Sequence, residues 1–80
     1  VGIAGMVGGE FRQGRIDRLL VKPTEVWIVD FKTTESPPLE VPRSYVSQLN
    51  FYEKMLASIY VGKNIRKFIL WTATNQLVEA

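Results

Sequence analysis

Apolar positions along the chain follow two spacings, which together predict five strands and one helix. Between residues 45 and 60 apolar side chains recur every three or four residues, the spacing of an amphipathic helix. The predicted strands are apolar or alternating segments at residues 1–7, 11–21, 26–32, 65–72 and 76–79. The order β-β-β-α-β-β, with a strand–helix–strand passage, predicts an α/β domain with a mixed sheet.

Turn and cap residues define the predicted boundaries. Gly8-Gly9 and residues 22–25 (Lys-Pro-Thr-Glu) read as turns, because Gly permits positive φ and Pro presets the turn geometry. Ser44 is the predicted N-cap of the helix and Gly62 its C′ residue. Residues 35–38 (Glu-Ser-Pro-Pro) are expected to end the third strand and begin a loop.

The turn at residues 22–25 has a consequence for two aspartates. If Val21 pairs with Val26, the same register continued along the strands places Asp17 opposite Asp30. Lys32 then lies on the same face as Asp30, because side chains alternate along a strand. Like charges opposed across a strand pair are destabilising. The two carboxylates therefore need a compensating cation, and a divalent metal ion is the natural candidate.

The apolar run at residues 26–29 predicts a central strand covered on both faces. Trp27 and Trp71 are interpreted as core residues of such strands. With 80 residues the chain forms one domain at most, with a marginal core. It begins and ends within apolar patterns, so we expect a piece of a larger protein.

The absence of two residue types restricts the chemistry. The chain has no cysteine and no histidine, so a metal ion must use oxygen ligands, which favours Mg²⁺, Mn²⁺ or Ca²⁺ over zinc. Lack of cysteine also fits a reducing compartment. The net charge of +2 is too small to indicate nucleic-acid binding by itself. No apolar run approaches the roughly 18 residues that cross a membrane, so no membrane association is expected.

Two interpretations of the acidic pair stay open at this point. In the first, Asp17 and Asp30 bind one or two divalent cations for phosphodiester hydrolysis, and Lys32 orients water or stabilises the developing charge. In the second, the aspartates form a structural ion network with Arg15, Arg18 and Lys32. The residues alone favour neither interpretation.

Gln48 and Tyr52 lie four residues apart, on one face of the predicted helix. Gln48 interrupts an apolar stripe and would be costly to bury without a partner. The pair could point toward the carboxylates and bind a phosphate or nucleotide. Alternatively Tyr52 is a core aromatic with Gln48 at the rim; Tyr45 and Tyr60 are interpreted as core.

Basic residues offer a further choice between a DNA-contacting surface and a solvated charged face. The solvated face is the favoured account, with a phosphate-tracking surface as the alternative. The residues concerned are Arg12, Arg15, Arg18, Lys22 and Arg43.

Three ordered motifs together resemble the RecB-type branch of the PD-(D/E)xK nuclease superfamily. They are residues 14–19 (Gly-Arg-Ile-Asp-Arg-Leu), residues 29–33 (Val-Asp-Phe-Lys-Thr) and Gln48-x-x-x-Tyr52. Residues 26–33, 42–45 with Gln48, and 70–72 are similar to the C-terminal nuclease domain of bacterial AddA-type helicase–nucleases.

The resemblance implies a restriction-endonuclease-like core and Mg²⁺-dependent exonuclease cleavage of DNA. By this resemblance Asp17 and Asp30 are the metal-binding acids, Lys32 is the catalytic lysine, and Gln48 and Tyr52 form the family's Gln/Tyr motif. Arg15 and Arg18 are candidate DNA-binding or supporting residues. The branch also implies a second helicase–nuclease subunit, a role in double-strand break repair, and a cytoplasmic, nucleoid-associated location in bacteria.

Two departures qualify the expected activity. Ile16 stands where the superfamily motif has proline, and the family's upstream helix with its metal-coordinating residue would precede Val1. Residues 1–80 are therefore expected to be a partial nuclease domain with an incomplete ligand set, inactive or weakly active alone. The alternative is an inactive nuclease-like module that binds DNA ends or a partner subunit. Exposed sheet edges would also permit a homodimer of the fragment.

Overall fold

A computed structural model describes residues 1–34 and 38–80 and confirms the predicted mixed α/β fold. Part of the loop expected at residues 35–38 lies outside the described residues. In the described part, strands and one helix follow each other along the chain. They are β1 (Gly2–Val7), β2 (Glu10–Arg15), β3 (Arg18–Val21), β4 (Glu25–Lys32), α1 (Arg43–Ala57), β5 (Asn64–Trp71) and β6 (Gln76–Glu79).

The strands form two sheets. β1 and β2 make an antiparallel hairpin joined at Gly8-Gly9, where both glycines have positive φ. The second sheet has the order β3-β4-β5-β6, with β4 and β5 parallel and the outer pairs antiparallel. Val21 pairs with Val26, so the predicted register of the β3–β4 hairpin is confirmed.

The single strand predicted over residues 11–21 is wrong, because the chain changes sheets at Ile16 and Asp17. β2 pairs with β1, whereas β3 pairs with β4. Ile16 is buried in the core, and the carboxylate of Asp17 accepts the backbone N–H of Phe31. Asp17 thus leaves the strand ladder just before the register would have paired it with Asp30.

Both predicted ends of the helix are also wrong. Pro42 occupies the N-cap, its carbonyl accepts the N–H of Tyr45, and no side chain caps the helix; Ser44 lies inside it. At the other end the helix stops at Ala57, where a turn bonded to the Leu56 carbonyl follows. Gly62 has a φ of 85° in a later turn that leads into β5. Within the described residues, no helix has the length and apolar character needed to cross a membrane.

The core lies between α1 and one face of the four-stranded sheet. It consists of Ile16, Val26, Ile28, Leu49, Phe51, Tyr52, Leu56, Ile69 and Trp71. β4 is a central strand, as predicted, and its face away from α1 is partly covered, since Val29 on that face is buried while Trp27 is half-buried. There Trp27 is shielded only by side chains, with Lys22 Nζ 3.6 Å from its ring centroid and the Phe68 ring 4.6 Å away.

Candidate active site

Asp30 is the one charged residue that the described fold buries, with 6% of its surface exposed. Val26 and Ile28 occupy the core-facing positions of β4, and strand alternation places Asp30 next on that face. Burial raises the pKa of Asp30, because the carboxylate loses hydration; the nearby Asp17 also raises it, while Lys32 lowers it. The end of β4 therefore carries a carboxylate that lacks its normal solvation.

Asp17 lies at the β2–β3 junction and differs from Asp30 in its surroundings. Its Oδ2 accepts a hydrogen bond of 2.9 Å from the N–H of Phe31. That bond lowers the pKa of Asp17; burial opposes it, and Asp30, Lys32 and Arg15 lower the pKa further. The pair thus has one carboxylate held ionised and one whose ionisation is disfavoured, as expected for two adjacent acids.

Lys32 Nζ forms an ion pair of 2.9 Å with Asp30 Oδ2 and lies 4.3 Å from the centroid of the Tyr45 ring. Burial lowers the pKa of Lys32, but Asp30, Tyr45 and Asp17 together more than offset this, so the net shift is upward. The main chain of Lys32 is held by Thr72, whose N–H and Oγ1 both donate to its carbonyl, at 2.9 and 3.2 Å. The ammonium is therefore a fixed positive charge beside the two acids.

Tyr52 connects α1 to the strand that precedes Asp17. Its hydroxyl donates to the carbonyl of Arg15 at 2.9 Å and accepts from the Arg15 N–H at 3.3 Å and from Gln48 Nε2 at 3.1 Å. A tyrosine hydroxyl offers one donor and two acceptor positions, so all are used. Gly14 leaves room for the ring, since a Cβ there would lie 2.8 Å from the Tyr52 hydroxyl. The Tyr52 hydroxyl thus binds the main chain of Arg15 and supports the strand end that leads to Asp17.

The arrangement is an acid from a strand junction, an acid and a lysine from the adjoining strand, and a helix that holds the junction in place. The family model of the PD-(D/E)XK nuclease superfamily matches residues 6–77. The chain belongs to this superfamily. No curated protein and no solved structure gives a significant match to it. Membership of a nuclease superfamily indicates phosphodiester hydrolysis as the general chemistry.

PD-(D/E)XK nucleases typically use divalent metal ions, and the oxygen donors at this site fit such an ion. Asp30 Oδ2 is buried and accepts no aligned hydrogen bond from the described residues, although Lys32 is close. Asp17 and Asp30 would hold the ion. In the described part of the chain they do not belong to a cluster of three or more acidic, His or Cys residues. Mg²⁺ needs only one or two carboxylates together with water and substrate phosphates.

The structural ion network considered as the alternative to a metal site is formed only in part. Of the two aspartates and three cations considered, the described residues show an ion pair only between Lys32 and Asp30. Arg15 and Arg18 are exposed and pair with neither aspartate. Arg15 is close enough to lower the pKa of Asp17, whereas Arg18 pairs with Val29 and therefore lies on the sheet face opposite Asp30.

Two residues of the nuclease site were missed by sequence reasoning. Tyr45 packs against the core, as predicted, but its ring also lies over Lys32, and Thr72, to which the sequence assigns no role, donates to the Lys32 carbonyl. For Tyr45 a signal existed, since Tyr45, Gln48 and Tyr52 share one helix face at spacings of three and four. Thr72 follows β5, and its contact with Lys32 depends on the parallel β4–β5 register.

Proposed function

We propose that this chain is the catalytic part of a Mg²⁺-dependent deoxyribonuclease that degrades DNA as an exonuclease. The observation that carries the proposal is the buried Asp30 carboxylate, next to Asp17 and ion-paired with Lys32. A buried charge is costly unless it is paired and fully hydrogen-bonded, and Asp30 Oδ2 lacks an aligned hydrogen bond from the described residues. Carboxylates with shifted pKa values are typical of functional sites.

The residues have separate roles in this proposal. Asp17 and Asp30 bind Mg²⁺ (Mn²⁺ or Ca²⁺ as substitutes), which supplies charge neutralisation at the phosphate and a lower pKa for the attacking water. Lys32 stays protonated and stabilises the negative charge that develops on the phosphoryl oxygens. Tyr52 holds the main chain of Arg15, and through it the position of Asp17. Tyr45 positions the Lys32 ammonium.

We further propose that residues 1–80 belong to an AddA-type bacterial helicase–nuclease that acts in double-strand break repair. Support comes from the similarity of residues 26–33, 42–45 and 70–72 to that nuclease domain. In this setting the partners are DNA and a second helicase–nuclease subunit, the helicase part binds ATP, and the location is the bacterial cytoplasm at the nucleoid.

The direct test is cleavage of end-labelled linear DNA by the full-length protein, with Mg²⁺ or Mn²⁺ and with EDTA. Asp30→Ala and Lys32→Ala should each reduce the cleavage rate on the order of 10²- to 10³-fold, because each removes a charge from the reacting centre. Glu10→Ala is the control, since Glu10 is exposed on β2, outside the site. Cleavage that persists in both site variants would exclude the catalytic assignment.

The rival function is a nuclease-like module that binds DNA ends or a partner subunit without cleaving. This rival is favoured by the number of acidic ligands: among the described residues the site has only the two carboxylates of Asp17 and Asp30 and no third acidic ligand. In the same assay the rival predicts no metal-dependent cleavage and salt-sensitive DNA binding that Asp30→Ala and Lys32→Ala leave unchanged.

A further inference from the structure

A groove runs between β2 and the first half of α1, next to the candidate active site. Its volume is about 360 Å³. The residues that line it are Arg12 and Gln13 of β2, and Ser44, Ser47, Gln48 and Phe51 of α1, with Tyr52 at its base.

The groove continues away from the site. A second hollow of about 200 Å³ adjoins it, shares Arg12, Ser47 and Phe51, and ends at Asn50 and Lys54. From Ser44 to Lys54 the helix rises about 15 Å at 1.5 Å per residue. Phosphates of one DNA strand rise about 3.4 Å each along the duplex axis and lie farther apart along the winding backbone, so the groove is long enough for a short stretch of backbone.

Its lining suits a polyanion. No carboxylate lines either hollow, and their charged residues, Arg12 and Lys54, are both cations. Glu53, the acidic residue of α1, does not line the groove, because its Oε1 pairs with Lys67 Nζ of β5 at 2.9 Å. Hydroxyl and amide donors lie between the two cations.

Arg12 and Gln48 retain hydrogen-bonding capacity. The guanidinium of Arg12 lies 5.5 Å from the Phe51 ring centroid, which fixes its position, and Arg12 has no ion pair with the described residues. Gln48 uses one Nε2 hydrogen on Tyr52, which leaves the second hydrogen for a ligand.

Both walls of the groove, β2 and α1, lead to residues of the candidate active site. On the strand side, the Tyr52 hydroxyl at its base holds Arg15, two residues before Asp17. On the helix side, Ser44 precedes Tyr45, the residue over Lys32. We propose that this groove binds the sugar–phosphate backbone of the DNA strand next to the scissile phosphate, with Arg12 as the main phosphate contact. The inference rests on the proposed function in taking DNA as the ligand.

The test measures binding of a fluorescent 20-nucleotide single strand by anisotropy, in EDTA, at several salt concentrations. Arg12→Gln should weaken binding about threefold to tenfold and reduce the salt slope by about 0.7, the value for one lost phosphate contact on a single strand. Ser47→Asp, at an exposed position, should weaken binding as well by adding a carboxylate to the groove.

Lys22→Gln is the matched control. Like Arg12→Gln, it removes one positive charge that lies over an aromatic ring. Lys22 lies over Trp27, on the face of the four-stranded sheet that is turned away from α1 and the groove. Equal affinities for Arg12→Gln and Lys22→Gln, or full affinity in Ser47→Asp, would overturn the groove assignment. Because no metal is present, this result is independent of cleavage: absence of cleavage by the unmodified protein would refute the nuclease proposal and leave the groove standing.

Discussion

At the scale of single residues, the site combines two acids whose surroundings act in opposite directions. The Phe31 N–H stabilises the ionised form of Asp17, whereas burial disfavours the ionised form of Asp30. A carboxylate kept in such a place lowers the stability of the metal-free fold, since its charge is only partly compensated by Lys32. Function and stability therefore make opposite demands on residue 30.

The pH dependence of stability tests this opposition. The raised pKa of Asp30 means that the folded chain binds more protons than the unfolded chain, so stability falls as pH rises from 3.8 through the folded-state pKa. Asp17 has the opposite sign, because its lowered pKa contributes stability above 3.8 that is lost as pH falls.

Without divalent ions, Asp30→Asn should therefore unfold at the same temperature as the unmodified protein or a few degrees higher at pH 7. This difference should disappear toward pH 3, where Asp30 is protonated. Lys32 tolerates the loss of its partner because 24% of its side chain is exposed to water. Calorimetric melting temperatures from pH 3 to 7 in EDTA measure this, with Asp17→Asn as the control of opposite sign. A clear loss of stability in Asp30→Asn at pH 7 would contradict the argument.

At the scale of secondary structure elements, the position of Asp17 depends on how α1 packs on β2. The contact is tight at Gly14, where a Cβ would lie 2.8 Å from both Cε1 and Oη of Tyr52. These are atoms of a fully buried ring that cannot swing away. Small changes in β2 must therefore be transmitted to the junction that carries Asp17.

Gly14→Ala should consequently destabilise the protein by about 1–3 kcal/mol, the usual cost of overpacking, and reduce cleavage by displacing the Tyr52–Arg15 bonds. Gly2→Ala in β1 is the matched control, because a Cβ there meets nothing within 4 Å. Chemical denaturation and the cleavage assay measure the two effects. Equal stability of the two variants would show that the Tyr52 ring yields to the added methyl.

The elements also show what sequence reasoning can and cannot predict. The register of β3 on β4 followed from residues 22–25, because a short turn leaves few ways to pair its flanking strands. The break at Ile16–Asp17 was missed because an apolar pattern continues unchanged when a strand moves from one sheet to another. The contact of Tyr45 with Lys32 was missed because it crosses between elements and depends on their packing.

At the scale of the whole molecule, the two sheets have outer edges of different character. β3 and β6 are four-residue edge strands, and both carry charged residues, Arg18 on β3 and Glu79 on β6. Short, charged edges resist pairing with another chain. β1 is six residues long and uncharged, and in the described structure it pairs only with β2. Its Met6 is exposed opposite the exposed Phe11.

This contrast makes β1 the edge through which a homodimer of the fragment would pair. The fragment of residues 1–80 should dimerise through antiparallel pairing of β1 with β1, with a mass by light scattering that rises with concentration. Met6→Lys should keep it monomeric, because a lysine on an edge strand must lose hydration when strands pair. Leu77→Lys makes the same change on β6, where the side chain is 51% exposed, and should leave the dimer intact. A monomer at every concentration, or loss of the dimer only in Leu77→Lys, would exclude pairing through β1.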